Sequence, residues 1–197
     1  MPTCLDQSIT DALGHRLKRR GVQKREFLKQ GKAEILAHGG LFASDLLSSS
    51  YIAGGAAAIF FTEDLGIEID VDVTPIALKL DEPVADFFGD DRFETSLGLL
   101  GTASVLWAPI HAKLKSGDHI VHADVLFSAG AGKLFHDSAQ GIAASGGLAI
   151  ELLFTSWLTF RIDARDVIVI QEAVAETRVG HNIALTGGLG LWFPTGL

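Results

Sequence analysis

The stretch Gly66-Ile67-Glu68-Ile69-Asp70-Val71-Asp72-Val73 decides the fold. Its three acids, Glu68, Asp70 and Asp72, occupy every second position of a run otherwise built from Ile and Val. Side chains of a strand alternate between two faces. One face of this segment is therefore purely apolar and the other carries three carboxylates in a row. A half-buried soluble strand would turn its apolar face to a core and its acids to water. Which face points where depends on the strands beside it.

From Gly31 onward the alternation recurs. Eight segments read as strands, at 31–42, 50–61, 65–76, 93–107, 118–132, 139–152, 156–169 and 180–193. Each reaches or exceeds the ~9–11 residues that a tilted strand needs to cross a bilayer. Each is also longer than the ~5–6 residues of an ordinary soluble strand. In the first, Ala33, Ile35, Ala37 and Leu41 oppose Lys32, Glu34 and His38. In the fourth, Phe93, Leu97, Leu99, Val105 and Trp107 oppose Glu94, Ser96, Thr102 and Ser104. Val121, Val125 and Phe127 oppose His122, Asp124 and Ser128 in the fifth. Phe160 and Ile162 oppose Arg161, Asp163 and Arg165 in the seventh, and Ile183, Leu185, Leu189 and Leu191 oppose Asn182 and Thr186 in the eighth. The second segment, Ser50–Phe61, has faces too alike to separate. Thr62–Asp64, Ala108–Gly117 and Leu153–Thr155 read as the shorter connections, while 43–49, 77–92, 133–138 and 170–179 read as polar loops. Short turns at one end and longer loops at the other is the pattern of an outer-membrane barrel.

Composition sets the bounds. At 197 residues the chain makes one domain or at most two. Hydrophobic residues are 48% and the mean hydropathy is +0.31, yet no apolar run reaches the ~18 residues of a transmembrane helix. The formal net charge of −8 argues against nucleic acid, which selects a basic footprint. The single cysteine, Cys4, allows no intrachain disulfide. No signal peptide precedes Pro2, which is uninformative because leaders are removed on export. Residues 1–30 form a charged extension on the periplasmic side, with Ser8 as N-cap of a short helix through Ile9, Leu13 and Leu17 and a basic run at His15–Arg20. Residues 31–194 form the barrel domain.

Eight long strands with small, charged, glycine-rich faces opposite Leu, Ile, Val and Phe faces fit an inside-out arrangement. A closed barrel in lipid satisfies every backbone group and leaves no edge. Its lumen takes Glu68, Asp70 and Asp72, and its outer wall takes the Ile and Val between them. Phe61–Asp72 is echoed at Phe154–Arg165, so that Glu68 corresponds to Arg161, Asp70 to Asp163 and Asp72 to Arg165. Strands three and seven of an eight-stranded barrel lie opposite each other, and such a barrel is only wide enough for side chains to fill it. Arg161 and Arg165 are thus expected to reach across to Glu68, Asp70 and Asp72, since a buried charge persists only when paired. Lys32, Glu34, Glu94, Asp124, Glu151 and Asp163 extend this lumen network.

The segments Gly21–Ile35, Tyr51–Glu68, Trp107–Leu114, Phe154–Val167 and His181–Pro194 resemble a family of small outer-membrane β-barrel domains common in myxobacteria and related bacteria. The likeness runs from about residue 20 to 194. It implies a barrel fold and an envelope location and names no activity. One Tyr and three Trp leave the interfacial aromatic girdles of such barrels to rest on Phe, and the chain ends in Pro-Thr-Gly-Leu where many such barrels end in an aromatic.

Other motifs read as ordinary structure. His136-Asp137-Ser138 looks like a triad, and lipid-modifying barrel enzymes use such residues at the outer rim, but a triad is defined by geometry and Asp and Ser are common turn formers. Asp86–Asp91 offers calcium-type oxygen ligands without the bidentate Glu of a full loop. Gly130-Ala131-Gly132 and Gly187–Gly190 are followed by no helix, which excludes a dinucleotide loop; there glycine makes room in a narrow lumen or relieves curvature. His119 and His122 face opposite sides of a strand, and His38, His111 and His181 have no partner at metal-ligand spacing, so no metal and no cofactor are expected. The expectation is an all-β, eight-stranded antiparallel up-and-down transmembrane barrel in a bacterial outer membrane, both termini periplasmic. It is a non-enzymatic structural or interaction platform whose partners are the lipid bilayer and an envelope protein or surface ligand met through loops 77–92 and 170–179. The alternatives are a narrow ion or proton channel and a soluble lipocalin-like carrier with its apolar faces turned inward.

Overall fold

The computed structural model describes residues 27–44, 50–76, 96–116, 119–135, 141–173 and 176–194. They form eight strands: β1 (Lys32–Ser44), β2 (Ser50–Phe60), β3 (Leu65–Ile76), β4 (Ser96–Ser116), β5 (His119–Phe135), β6 (Gly141–Leu153), β7 (Leu158–Ala173) and β8 (Glu176–Pro194). Each strand pairs with the next in a closed barrel. All pairings are antiparallel, and β1 returns to β8 from Lys32↔Pro194 to Ser44↔Asn182. Closure leaves no unpaired edge, the liability of any open sheet.

The opening stretch fixes the sense of the wall. Ile67, Ile69, Val71 and Val73 are exposed on the outside, while Glu68, Asp70 and Asp72 are buried inside. Leu97, Leu99 and Val105 on β4, Ile142, Leu148 and Ile150 on β6, and Ile183, Leu185, Leu189 and Leu191 on β8 also face out. A soluble carrier would need the reverse. The second strand resolves in the same way: Ile52, Ala56, Ala58 and Phe60 are buried. Phe61, Trp107, Phe154, Trp157 and Phe193 are exposed around the end that bears the turns, and Tyr51 and Phe135 near the opposite end. The girdle is Phe-rich, with two of the Trp residues in it.

The two tight turns repeat one another. Thr62 Oγ1 accepts the backbone N–H groups of Asp64 and Leu65 at 3.2 and 2.9 Å. Thr155 Oγ1 accepts those of Trp157 and Leu158 at 3.4 and 3.0 Å. Such hydroxyl-to-backbone bonds close a turn without a helix. The echo between Phe61–Asp72 and Phe154–Arg165 thus extends from the side chains into the backbone.

Two connections differ from the sequence reading. Ala108–Gly117 reads as a loop because Pro109 and Lys113 interrupt the apolar alternation, yet β4 runs through it to Ser116 and pairs with β5 as far as Ser116↔His119, past a bulge between Trp107 and Ile110. A bulge inserts an extra residue and lets a strand continue after an irregularity. The result is a hairpin reaching beyond its neighbours at the turn end. Conversely, 170–179, read as an outer loop, is mostly strand: Ile170↔Val179, Gln171↔Arg178, Glu172↔Thr177 and Ala173↔Glu176 all pair. Polar residues pair as well as apolar ones once a strand has left the apolar belt. The other partner loop, 77–92, lies outside the described residues, as do 45–49 and 136–138.

Candidate functional site

The lumen is layered. Toward the loop end, Phe42, Ile52, Leu100, Leu134, Ala143, Val167, Val169 and Ala184 meet in an apolar cluster. Toward the turn end, Phe27, Ala58, Phe60, Leu106, Ala108, Leu126, Ala149, Leu153 and Trp192 form another. The charges of β3 and β7 lie between these two clusters, while Lys29, Asp124 and Glu151 lie at the level of the turn-end one.

The ionic layer is built largely across the barrel between β3 and β7. Arg161 Nη1 donates to Glu68 Oε2 at 2.5 Å and Arg161 Nη2 to Glu68 Oε1 at 3.2 Å, a two-pronged bond between residues 93 apart in sequence. Planar guanidinium and carboxylate groups match in this way. Arg165 Nη1 donates to Asp70 Oδ2 at 2.8 Å. Asp163 lies between the two arginines and accepts from Arg161 Nη2 and from Arg165 Nε, both at 3.4 Å. Thr159 Oγ1 donates to Glu34 Oε1 at 2.8 Å.

Room for these groups comes from glycine. A Cβ at Gly190 would stand 2.1 Å from Glu34 Oε1 and 2.4 Å from Thr159 Oγ1. Gly54 is cross-strand partner to His38 on β1 and to Asp72 on β3, and a Cβ there would meet Asp72 Oδ1 at 2.2 Å and the Val71 carbonyl oxygen at 2.4 Å. Its bareness lets His38 and Asp72 approach over it.

Asp72 is not taken up by Arg165 as the sequence repeat suggests. It faces His38 instead, with His38 Nε2 at 3.3 Å from Asp72 Oδ1 and 3.5 Å from Asp70 Oδ1. The sequence reading found no ligand partners for His38 because 32 and more positions separate it from both acids; only the β1–β2–β3 register makes them neighbours.

A further member was missed altogether. Lys29, assigned to the N-terminal extension, is fully buried at the turn end. Its Nζ donates to Glu151 Oε2 at 2.5 Å and lies 3.0 Å from Asp124 Oδ2. It also sits over the Phe60 and Trp192 rings, at 4.9 and 5.6 Å from their centroids. Phe27 packs edge-on against Trp192 at 5.2 Å. The segment turns into β1 through Gly31, whose φ of 67° suits glycine, and Glu63 accepts the backbone N–H groups of Lys29 and Gln30, each at 3.1 Å. The signal was present in the surplus of lumen acids, which demands another base, and in the alternation of Phe27 and Lys29 running into β1. The boundary drawn at residue 30 cuts through this contact; residues 1–26 lie outside the described residues.

Two of the residues expected in the network differ. Lys32 lies outside the ionic layer: it is half-buried at the turn-end mouth, its Nζ 3.7 Å from the Phe27 ring centroid. Its position is the first of β1, below the charged layer. Glu94 lies outside the described residues. Asp124, besides Lys29, contacts His111 Nδ1 at 2.7 Å, and His111 Nε2 contacts Asp64 Oδ1 at 2.8 Å. Both ring nitrogens of His111 therefore face carboxylates, tying the projecting β4–β5 hairpin to the turn end.

Comparison with known proteins finds no matching family and no matching curated protein. Among solved structures, Neisserial surface protein A is similar at 10% identity, covering 83% of this chain and 100% of that one, with a TM-score of 0.52. Outer membrane protein OprG from Pseudomonas aeruginosa matches at 11% identity over 85% of this chain and 98% of that one, with a TM-score of 0.48. The N-terminal β-barrel domain of Pseudomonas aeruginosa OprF matches at 14% identity over 83% and 98%, with a TM-score of 0.45. The chain has the fold of a small eight-stranded outer-membrane β-barrel.

Proposed function

We propose that this protein is a non-enzymatic, non-conducting barrel of a bacterial outer membrane that serves as a rigid platform for its loop end. The observation that carries this reading is an apolar outer wall around a lumen capped by apolar clusters at both ends of the ionic layer. An apolar exterior of this extent is costly in water and favourable in lipid. An eight-stranded lumen filled by side chains leaves no aqueous path, which favours the platform over the channel. The start of β1, the end of β8 and the tight turns share one end, which in outer-membrane barrels is the periplasmic one. The platform's working surface is then the opposite end, where the 77–95 connection is by far the longest. The charged extension of residues 1–26 belongs to the periplasmic side, with Phe27 and Lys29 as its anchor.

The test has three arms. Expressed with an export signal, the protein should appear in the outer-membrane fraction and migrate differently in dodecyl sulfate before and after boiling. In planar bilayers the purified barrel should give no unitary conductance. A soluble, heat-unshifted protein overturns the membrane placement. Steady conductance that changes in Asp70→Asn overturns the platform in favour of the channel. Replacing 77–95 by a short Gly-Asn turn should keep the heat shift and abolish binding to envelope extracts.

A further inference from the structure

The ionic layer is short of positive charge. Among the described residues, seven buried carboxylates (Glu34, Glu68, Asp70, Asp72, Asp124, Glu151 and Asp163) share three buried cations, Lys29, Arg161 and Arg165. The cations are unevenly spread. Lys29 serves Asp124 and Glu151 at the turn end, and the arginines serve Glu68, Asp70 and Asp163. The imbalance is greatest where Asp72 meets His38.

There three donor atoms converge without being satisfied. His38 Nε2, Asp70 Oδ1 and Asp72 Oδ1 are all buried, and none has a hydrogen-bond partner among the described residues. The side chains of His38, Asp70 and Asp72 are only 3%, 2% and 6% exposed. One donor atom from each lies within 4.8 Å of the others. Burying a polar atom without a hydrogen bond is costly, so three such atoms aimed at one point call for an occupant.

We propose that His38 Nε2, Asp70 Oδ1 and Asp72 Oδ1 form a binding site for one divalent first-row transition metal ion, held inside the barrel. Spacing, donor chemistry and charge all favour this. A tetrahedral ion with bonds of ~2.0–2.2 Å keeps its donors roughly 3.3–3.6 Å apart, and the nitrogen stands 3.3 and 3.5 Å from the two carboxylate oxygens. One imidazole with two carboxylates suits zinc, manganese or iron(II); calcium and magnesium prefer six or more oxygens or retain several waters. The ion would offset two of the surplus negative charges.

The surroundings hold the ligands in place. Arg165 bonds Asp70 through Oδ2 at 2.8 Å, which leaves Oδ1 turned toward His38. Such outer partners commonly orient metal ligands. His38 lies between two glycines in the wall, Gly188 on β8 and Gly54 on β2. A Cβ at Gly188 would come 2.7 Å from His38 Cβ, and one at Gly54 would come 2.2 Å from Asp72 Oδ1, so bare glycines make room for these ligands. The apolar clusters above and below bar entry to the folded barrel, so the ion is captured as the barrel closes.

The full chain is therefore unfolded in urea with a chelator and refolded in detergent with Zn2+ alone or without metal. Free ion is removed and bound zinc is measured by mass spectrometry. The wild type should retain about one ion per chain. Asp72→Asn and His38→Gln, each checked for folding by the heat shift, should retain less than about a tenth of that. Asp166→Asn, which alters the exposed Asp166–His181 pair on the outer wall, should bind as the wild type does. Zinc should raise the unfolding temperature of the wild type and leave that of Asp72→Asn unchanged. A folded wild type that retains no zinc overturns the site, and so does full retention by either lumen variant.

Discussion

Arg161→Met isolates the physics of the ionic layer. Arg161 is 2% exposed and holds Glu68 by two hydrogen bonds, at 2.5 and 3.2 Å. Methionine fills a similar length without charge. Glu68 would keep only the Arg165 guanidinium, 3.9 Å away, which is too far for a hydrogen bond. Removing one partner of a buried pair costs ~3–5 kcal/mol, because the other charge stays buried and uncompensated. With a urea dependence of ~2 kcal/mol per molar, the unfolding midpoint should fall by roughly 2 M. Arg161→Met combined with Glu68→Leu removes both charges, and replacement of a whole buried pair by apolar groups is often close to neutral. The double variant should regain at least about half of the loss. The assay is urea unfolding of the refolded barrel, followed by the heat-shifted band. A wild-type midpoint for the single variant would show that Glu68 does not depend on Arg161. A double variant as weak as the single would show that shape, not charge, accounts for the loss.

The other predictions concern the ends, the wall and the packing. Lys29→Met leaves Asp124 and Glu151 without their shared cation and should cost ~3–5 kcal/mol, with chymotrypsin cutting at the released Phe27. Burial pulls the Lys29 pKa down, but Glu151 and Asp124 more than reverse this, so it stands above its ordinary value. Its stabilising contribution is complete below the unfolded-state value of about 10.4 and is lost as pH rises through the higher folded-state value. Wild-type urea midpoints should therefore fall more steeply above ~pH 10 than those of Lys29→Met. Gly54→Ala sets a methyl group 2.4 Å from the Val71 carbonyl oxygen and should destabilise by ~1–3 kcal/mol in the same assay. Ile69→Arg, at a site 61% exposed on the outer wall, should cost ~2–4 kcal/mol in lipid vesicles if it lies near the midplane. The same change should be nearly neutral in a water-exposed wall, so an unchanged midpoint would count against burial in lipid.

Alternation along single strands was enough to separate two faces. Glu68, Asp70 and Asp72 stand against Ile67, Ile69 and Val71 because period two needs no partner to define two faces, and the closed barrel decides which of them is the inside. The echo of Phe61–Asp72 at Phe154–Arg165 set Arg161 opposite Glu68 on strands that a closed eight-strand barrel brings face to face, whereas Arg165 pairs with Asp70 and not with its counterpart Asp72. Connections were harder to read, since proline and charge stop an alternation without stopping a ladder. Ile110–Ser116 and Gln171–Ala173 pair regardless.

What the sequence by itself determined is therefore local or periodic: the eight strands, and the two faces of those that alternate clearly, the second excepted. What only the tertiary structure decided depends on register and closure. His38 meets Asp72 because β2 carries glycine where its row passes between them. Lys29 enters the lumen because Gly31 turns the chain and Glu63 holds its backbone at the mouth. These contacts join residues whose separation along the chain follows no period, and their energy comes from a space that exists only once all eight strands have closed.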